Sequence, residues 1–243
     1  MDGKSILLLV VIIFLIIFLV RYITKDVNTL TGVTEATTMQ KIEADDLDTS
    51  DSSGNTSNFT YSIWFYIDDW NYRYGEAKII FGRMTPGNGD RDPCPSVVLA
   101  PTQNNIVISQ SVFSGDEETD TNENYAIHTC GIANVPIQRW VNLLISVYGR
   151  SMDLYLDGKL VKTCILPGVA KIDQNAPVFI TPNGGFSGWT SRFQFWTDST
   201  DPQKAWNIYK AGYGGSSLGG IFGTYSIKIS VMEGDTEQST YTI

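Results

Sequence analysis

The sequence predicts an all-β fold, a two-sheet antiparallel sandwich or jelly roll, preceded by one transmembrane helix. Three observations lead there. Residues 6–20 contain no polar side chain. From Asn58 onward, short alternating runs are broken by Gly, Pro, Asn and Asp, which is the signature of strands joined by turns. Between these regions, residues 24–57 are rich in Thr, Asp, Ser and Asn and poor in aromatics, a composition that buries too little surface to fold alone. The chain therefore divides into an anchor at 1–23, a polar acidic tether at 24–57 and a sandwich at 58–243.

The anchor consists of Ile6, Leu7, Leu8, Leu9, Val10, Val11, Ile12, Ile13, Phe14, Leu15, Ile16, Ile17, Phe18, Leu19 and Val20. A helix rising about 1.5 Å per residue needs roughly 20 residues to cross a hydrocarbon layer about 30 Å thick. Counting from Ser5 to Ile23 gives nineteen. Arg21 and Tyr22 suit the interface, the one reaching the headgroups by its long stem and the other by its amphipathic ring. A helix in a soluble core normally keeps one stripe for solvent, and this run has none. A cleaved leader needs small residues at its cleavage site, where this chain has Arg21, Tyr22, Ile23, Thr24, Lys25 and Asp26. Arg21 and Lys25 outnumber Lys4 on the other flank, which favours placing the C-terminal region on the cytoplasmic side.

Fully extended, the tether would reach roughly 110 Å at about 3.3 Å per residue. Its scattered apolar residues, Val27, Leu30, Val33, Met39, Ile42 and Leu47, offer the alternative of docking on a neighbour.

In the sandwich, Phe59, Tyr61, Ile63, Phe65 and Ile67 share one face of the first strand. Further strands are expected at 78–83, 96–100, 105–112, 140–148, 152–156, 159–165, 178–181 and 188–195, with a terminal pair at 224–232 and 238–243. Asp157 and Gly158 tolerate the positive φ of a two-residue turn, which predicts a hairpin. A helix is expected over 201–211, with Asp201 as N-cap, Pro202 at the first position and Gly212 as the stop. Its Ala205, Ile208 and Tyr209 would face the sandwich. About 185 residues suffice for one substantial core.

The chain carries 26 Asp plus Glu against 17 Lys plus Arg, a formal charge of -9, and has no Lys/Arg cluster. Nucleic acid is thereby excluded as an expected partner, since phosphate binding needs a basic face. Three cysteines are too few for a disulfide framework. Cys164 reads as core, whereas Cys94 and Cys130 sit in loop-like contexts, where an oxidising compartment would allow a bridge between them.

Three segments, in order, resemble the concanavalin A-like sandwich family in its laminin G-like and pentraxin-like branch. They are Phe59-Thr60-Tyr61-Ser62-Ile63-Trp64-Phe65-Tyr66, the strand from Trp140 to Tyr148 running into Met152-Asp153-Leu154-Tyr155-Leu156-Asp157-Gly158-Lys159-Leu160-Val161, and Gly185-Phe186-Ser187-Gly188 through Phe195. The resemblance spans 58–211 and implies a jelly roll. The family often has an acidic residue on the late strand where Ser191 and Arg192 stand here, so no family metal site carries over. The plan of uncleaved anchor, acidic tether and single sandwich is similar to that of membrane-anchored minor capsid proteins of large icosahedral DNA viruses with an internal lipid layer.

Several constellations have a chemical and a plain reading. Glu233, Asp235 and Glu237 have the E-x-D-x-E spacing that aims carboxylates at one sugar bond when all lie on one strand. Their position near two short strands and a Gly favours a solvated hairpin turn. His128 and Cys130, with Cys94, fall short of the four ligands of a structural zinc site, and a lone histidine leaves no independent catalytic triad. Asp116, Glu117, Glu118, Asp120 and Glu123 could hold calcium, but their order lacks regular ligand spacing and reads as a solvated loop. Asn55 and Asn58 begin glycosylation patterns at a frequency close to chance in so Asn- and Thr-rich a chain. Trp70, Tyr72, Tyr74 and Trp189 lie in or beside loops and are the candidate sugar-stacking rings.

With an anchor and no catalytic set, the sequence points to a non-enzymatic structural or interaction protein, without cofactor, that ties a lipid bilayer to other structural proteins such as a capsid layer. A membrane-anchored lectin-like module is the alternative.

Overall fold

The computed structural model describes residues 28–47, 57–84, 93–113, 125–214, 228–233 and 236–242, together with positions 11, 12 and 15. Among the described residues, apart from the helical positions 11, 12 and 15, fourteen strands and one α-helix follow in chain order: β1 (Thr34–Glu35), β2 (Gln40–Ile42), β3 (Phe59–Asp69), β4 (Lys78–Met84), β5 (Pro93–Leu99), β6 (Ile106–Phe113), β7 (Tyr125–Ile132), β8 (Trp140–Tyr148), β9 (Ser151–Leu156), β10 (Lys159–Ile165), β11 (Val178–Ile180), β12 (Ser187–Trp196), α1 (Pro202–Lys210), β13 (Lys228–Glu233) and β14 (Thr236–Thr242). The first sheet has the order β1-β12-β3-β8-β9-β10 and the second β2-β11-β4-β5-β6-β7, while β13 and β14 pair only with each other. The two-sheet antiparallel sandwich expected from the alternation is thus present.

Period-two patterning builds the core. Phe59, Tyr61, Ile63, Phe65 and Ile67 of β3 and Val141, Leu143, Ile145 and Val147 of β8 point inward and meet Phe81, Val97, Ile106 and Ile108 of the second sheet. Arg83 is buried among them; its guanidinium donates to the Ala176 and Gln174 carbonyls and to the Tyr61 hydroxyl, which satisfies most of a charge that would otherwise be costly. Burial raises the Tyr61 pKa and Arg83 opposes that rise.

The hairpin forms as the turn residues dictate, with φ of 50° at Asp157 and 72° at Gly158. Asp201 caps α1 by accepting from the Lys204 backbone N–H at 2.7 Å, and Gly212, at φ 73°, follows its end. Ala205 and Ile208 pack on Leu144 and Tyr155, on the outer side of the first sheet.

Three expectations are corrected. The tether does not run free over 24–57: Thr29 bridges to Gln194, β1 pairs with β12, and β2 pairs with β11, so residues 28–47 belong to the sandwich. The reason is that Ala36, Ile42 and Leu47 find room in the core, which a local compositional reading cannot see. The disulfide joins Cys130 to Cys164, with Cα atoms 6.3 Å apart, and not Cys94 to Cys130. Cys94 is buried on β5, and β6 lies between it and β7. Two strand spacings of about 4.8 Å exceed the Cα separation a disulfide tolerates. Cys130 itself lies on a strand, β7, that the alternation did not reveal because an edge strand buries little; among its described side chains, Cys130 and Ile132 are the buried apolar ones.

Of the expected anchor, Val11, Ile12 and Leu15 are helical and exposed. Its remaining residues, with Arg21 and Tyr22, lie outside the described residues, as do Asn55 and the acidic residues 116–123. Among the described residues, no helix is long and apolar enough to cross a membrane.

Candidate binding face

The outer face of the first sheet is built from alternate residues of β3, β8 and β12. Tyr66 stands directly between Trp140 on β8 and Trp189 on β12, and Trp64 is paired with Asn142. Deeper along the strands the same face is polar. There Asn142 donates to Ser62 Oγ at 3.0 Å, Thr60 donates to the Asp198 carbonyl at 2.8 Å, and Ser146 Oγ accepts from the Thr200 N–H at 2.8 Å. These groups are buried because the segment leading into α1 lies over them, and their hydrogen bonds offset the desolvation.

The helix completes a continuous row of rings. Tyr209 stacks on Trp64 at 5.6 Å and 17°, and Tyr213 stacks on Trp140 at 4.4 Å and 10°. Tyr66 meets Trp140 and Trp189 edge-on at 5.9 and 5.6 Å, and Trp206 adjoins Tyr209 at 5.4 Å. Each such pair contributes about 0.5–1.5 kcal/mol beyond its burial. The backbone beneath Tyr213 is held by Ser191 Oγ, which donates to its carbonyl at 2.7 Å, and by Arg192, which donates to the Gly212 carbonyl at 2.9 Å. Ser191 and Arg192, where the family often carries an acid, thus fix the segment that closes the ring row.

Trp64 is only 4% exposed, whereas Trp189 and Tyr213 are 40% and 43% exposed. The row therefore has a rigid root and a solvent-facing end at Trp189, Tyr66, Trp140 and Tyr213. Preset rings lose little conformational freedom on meeting a partner, which favours binding.

Of the sugar-stacking candidates, Trp189 stands on this face. Trp70 packs against the core with the Lys78 ammonium 4.9 Å from its ring centre, and Tyr72 donates to the Gly184 carbonyl at 3.0 Å. Tyr74 is exposed in the same loop. Burial lowers the Lys78 pKa, with Arg73 adding to the effect. Trp70 and Tyr72 thus support the fold, and Trp189 belongs to a different group, whose other members, Tyr66, Trp140 and Tyr213, the sequence reading missed. The available signal was Trp64 and Tyr66 at alternate positions on the face of β3 opposite Phe59, Tyr61, Ile63, Phe65 and Ile67.

Glu233 and Glu237 do not share a strand, because Glu233 ends β13 and Glu237 lies on β14, opposite Met232 of β13. Cys130 is consumed by its disulfide, which removes it from any metal site with His128.

A family model, described as the concanavalin A-like lectin/glucanases superfamily in its laminin G form, matches residues 42–216. The chain belongs to this superfamily. Solved structures with a similar sandwich include the botulinum neurotoxin serotype G binding domain, at 10% identity and TM-score 0.50 over 74% of this chain and 46% of that one. The binding domain of botulinum neurotoxin DC in complex with SialylT gives 14% and 0.49 over the same shares. At such identities the likeness is one of fold, and this concanavalin A-like chain spans less than half the length of those two. No match was found among the curated proteins.

Proposed function

We propose that this concanavalin A-like protein is a non-enzymatic, membrane-anchored interaction protein whose ring row contacts a neighbouring protein layer, in the manner of a virion minor capsid component joining an internal membrane to its shell. The observation that carries this reading is the half-exposed row Trp189-Tyr66-Trp140-Tyr213, since Trp and Tyr on a rigid base are the residues that dominate protein interfaces. The hydrophobic run at 6–20 supplies the anchor. A photo-crosslinking residue placed at Trp189 in the assembled membrane-bound protein is expected to capture one protein species, and Trp140→Ala to weaken that capture at least about tenfold, the scale of a single interface anchor. Diffuse labelling insensitive to Trp140 would count against the reading, as would glycan hydrolysis abolished by Glu233→Gln.

A lectin-like reading draws on the same exposed rings, because flat aromatic faces stack on sugars. A glycan-array signal lost in Trp189→Ala would favour it, and a blank array would leave the protein-layer reading.

A further inference from the structure

The chain enters the sandwich at one end of the strands. Phe195 donates its N–H to the Asn28 carbonyl at 3.4 Å, Thr29 bridges to Gln194 with Gln194 Nε2 donating to Thr29 Oγ1 at 3.0 Å, and Leu30 donates to the Phe193 carbonyl at 2.8 Å. Residue 28 is therefore fixed beside the end of β12, level with the start of β3, because Trp196 pairs with Thr60 and Phe195 with Tyr61. The register carries this end across the first sheet, and the segment after Ile165, with Leu166 donating to the Arg150 carbonyl at 2.8 Å, carries it to the second, where Ser57 and Phe113 line one cavity. Tyr148 and Ser151 lie there on β8 and β9, Ile165 on β10, and Phe113 on β6, where its N–H meets the Val169 carbonyl.

We infer that this end of the sandwich, carrying Tyr148, Ile165, Val169 and Phe113, rests against the surface of the bilayer that holds the chain's own N-terminal segment, and that the ring row faces away from it. The inference rests on the membrane reading above. Only residues 24–27 separate the anchor segment, which ends at Ile23 beyond the interfacial Arg21 and Tyr22, from the docked Asn28. Fully extended, the five steps from Ile23 to Asn28 span at most about 18 Å, of which the headgroup layer takes about 6 Å. The eleven residues of β3 are about 36 Å long. The sandwich therefore cannot present its far end to the same bilayer without pulling Asn28 from β12.

Exposure alone does not select an end. Tyr148 is 68% exposed at this one, but Tyr74 is 60% exposed at the other. The short connection decides, and the apolar side chains at the chosen end suit an interfacial position. The placement carries Tyr66, seven residues along β3 from Phe59, about 23 Å further from the lipid, where a protein layer or glycan can reach it.

The test uses full-length protein in phosphatidylcholine vesicles bearing a headgroup quencher, with a fluorophore attached at Tyr148→Cys or Tyr74→Cys. Because about 36 Å of strand separates the two sites, the label at 148 is expected to be quenched about threefold more strongly than the label at 74. Inserting twenty Gly/Ser residues after Lys25 adds a mean reach of about 25 Å and is expected to remove the difference. Equal quenching in the uninserted protein, stronger quenching at 74, or a difference unchanged by the insertion overturns the inference while leaving the anchor intact. Protein that does not float with the vesicles overturns the membrane reading and this inference together.

Discussion

The two sheets share one core but differ on their outer faces. In the first sheet β8 is buried on both sides, with Val141, Leu143, Ile145 and Val147 toward the core and Leu144 beneath α1. In the second sheet β6 alternates over its first half, with Ile106 and Ile108 buried and Val107 and Ser109 half-exposed. A covering layer makes the difference. Where α1 and the segments flanking it lie across the first sheet, polar residues such as Ser62, Asn142 and Ser146 are desolvated and must bond one another, and aromatic residues become a fixed row. Without a lid, outward positions such as Val98, Val107 and Ser109 remain half-exposed.

This contrast can be broken most sharply at Trp64. Trp64→Ala removes the ring on which Tyr209 stacks and is expected to cost about 3–4 kcal/mol by denaturant unfolding, whereas Val107→Ala on the open face should cost under about 1 kcal/mol. Equal costs would mean that the lid adds nothing to the first sheet. Next in size is the Cys130–Cys164 disulfide, which ties edge strand β7 of the open sheet to edge strand β10 of the lidded one across a separation of 34 residues. Replacing both cysteines with serine should lower stability by about 2–4 kcal/mol, and calorimetry under matched conditions measures it.

Gly158→Ala probes the hairpin that the lid covers. An added Cβ would meet Tyr209 Cβ at 2.9 Å and Trp206 at 3.0 Å, at a φ of +72°. A loss of about 2 kcal/mol is expected, above the backbone cost alone, with the excess reduced but not abolished in a Trp206→Ala background, which leaves the Tyr209 Cβ and the residue 206 Cα in place.

The smallest effect is alkaline. Burial raises the pKa of Tyr61 in the core and of Tyr155 under the lid above the ordinary 10.0. Their contribution is present below that value and is lost as pH rises, because the unfolded chain releases these protons first. Lys78, shifted down by burial from 10.5, acts in the opposite direction and gains until the unfolded lysine has also lost its proton. With two tyrosines against one lysine, net loss should therefore set in above about pH 10. A melting temperature that fell steadily from pH 8 would contradict this balance.

Much of the fold was legible because it is local. Alternation placed β3, β8, β9, β10 and β12, Asp157-Gly158 specified a turn, and Asp201-Pro202 opened a helix, since backbone sterics and capping act within a few residues. The weak edges were not legible. β7 hides behind two buried apolar positions, and β1 and β2 are two and three residues long, so each is a strand only because a neighbour offers it hydrogen bonds.

The sequence by itself determined the sandwich class, the hairpin, the capped helix, the acidic surface and the expectation of an apolar anchor, because side-chain period, turn chemistry and net charge need no partner. Tertiary structure alone decided that residues 28–47 join the sheets, that Cys164 and not Cys94 meets Cys130, and that Tyr66, Trp140, Trp189 and Tyr213 form one surface. Those outcomes depend on which strands become neighbours, and strand order is fixed by the packing of a shared core across residues far apart in the chain.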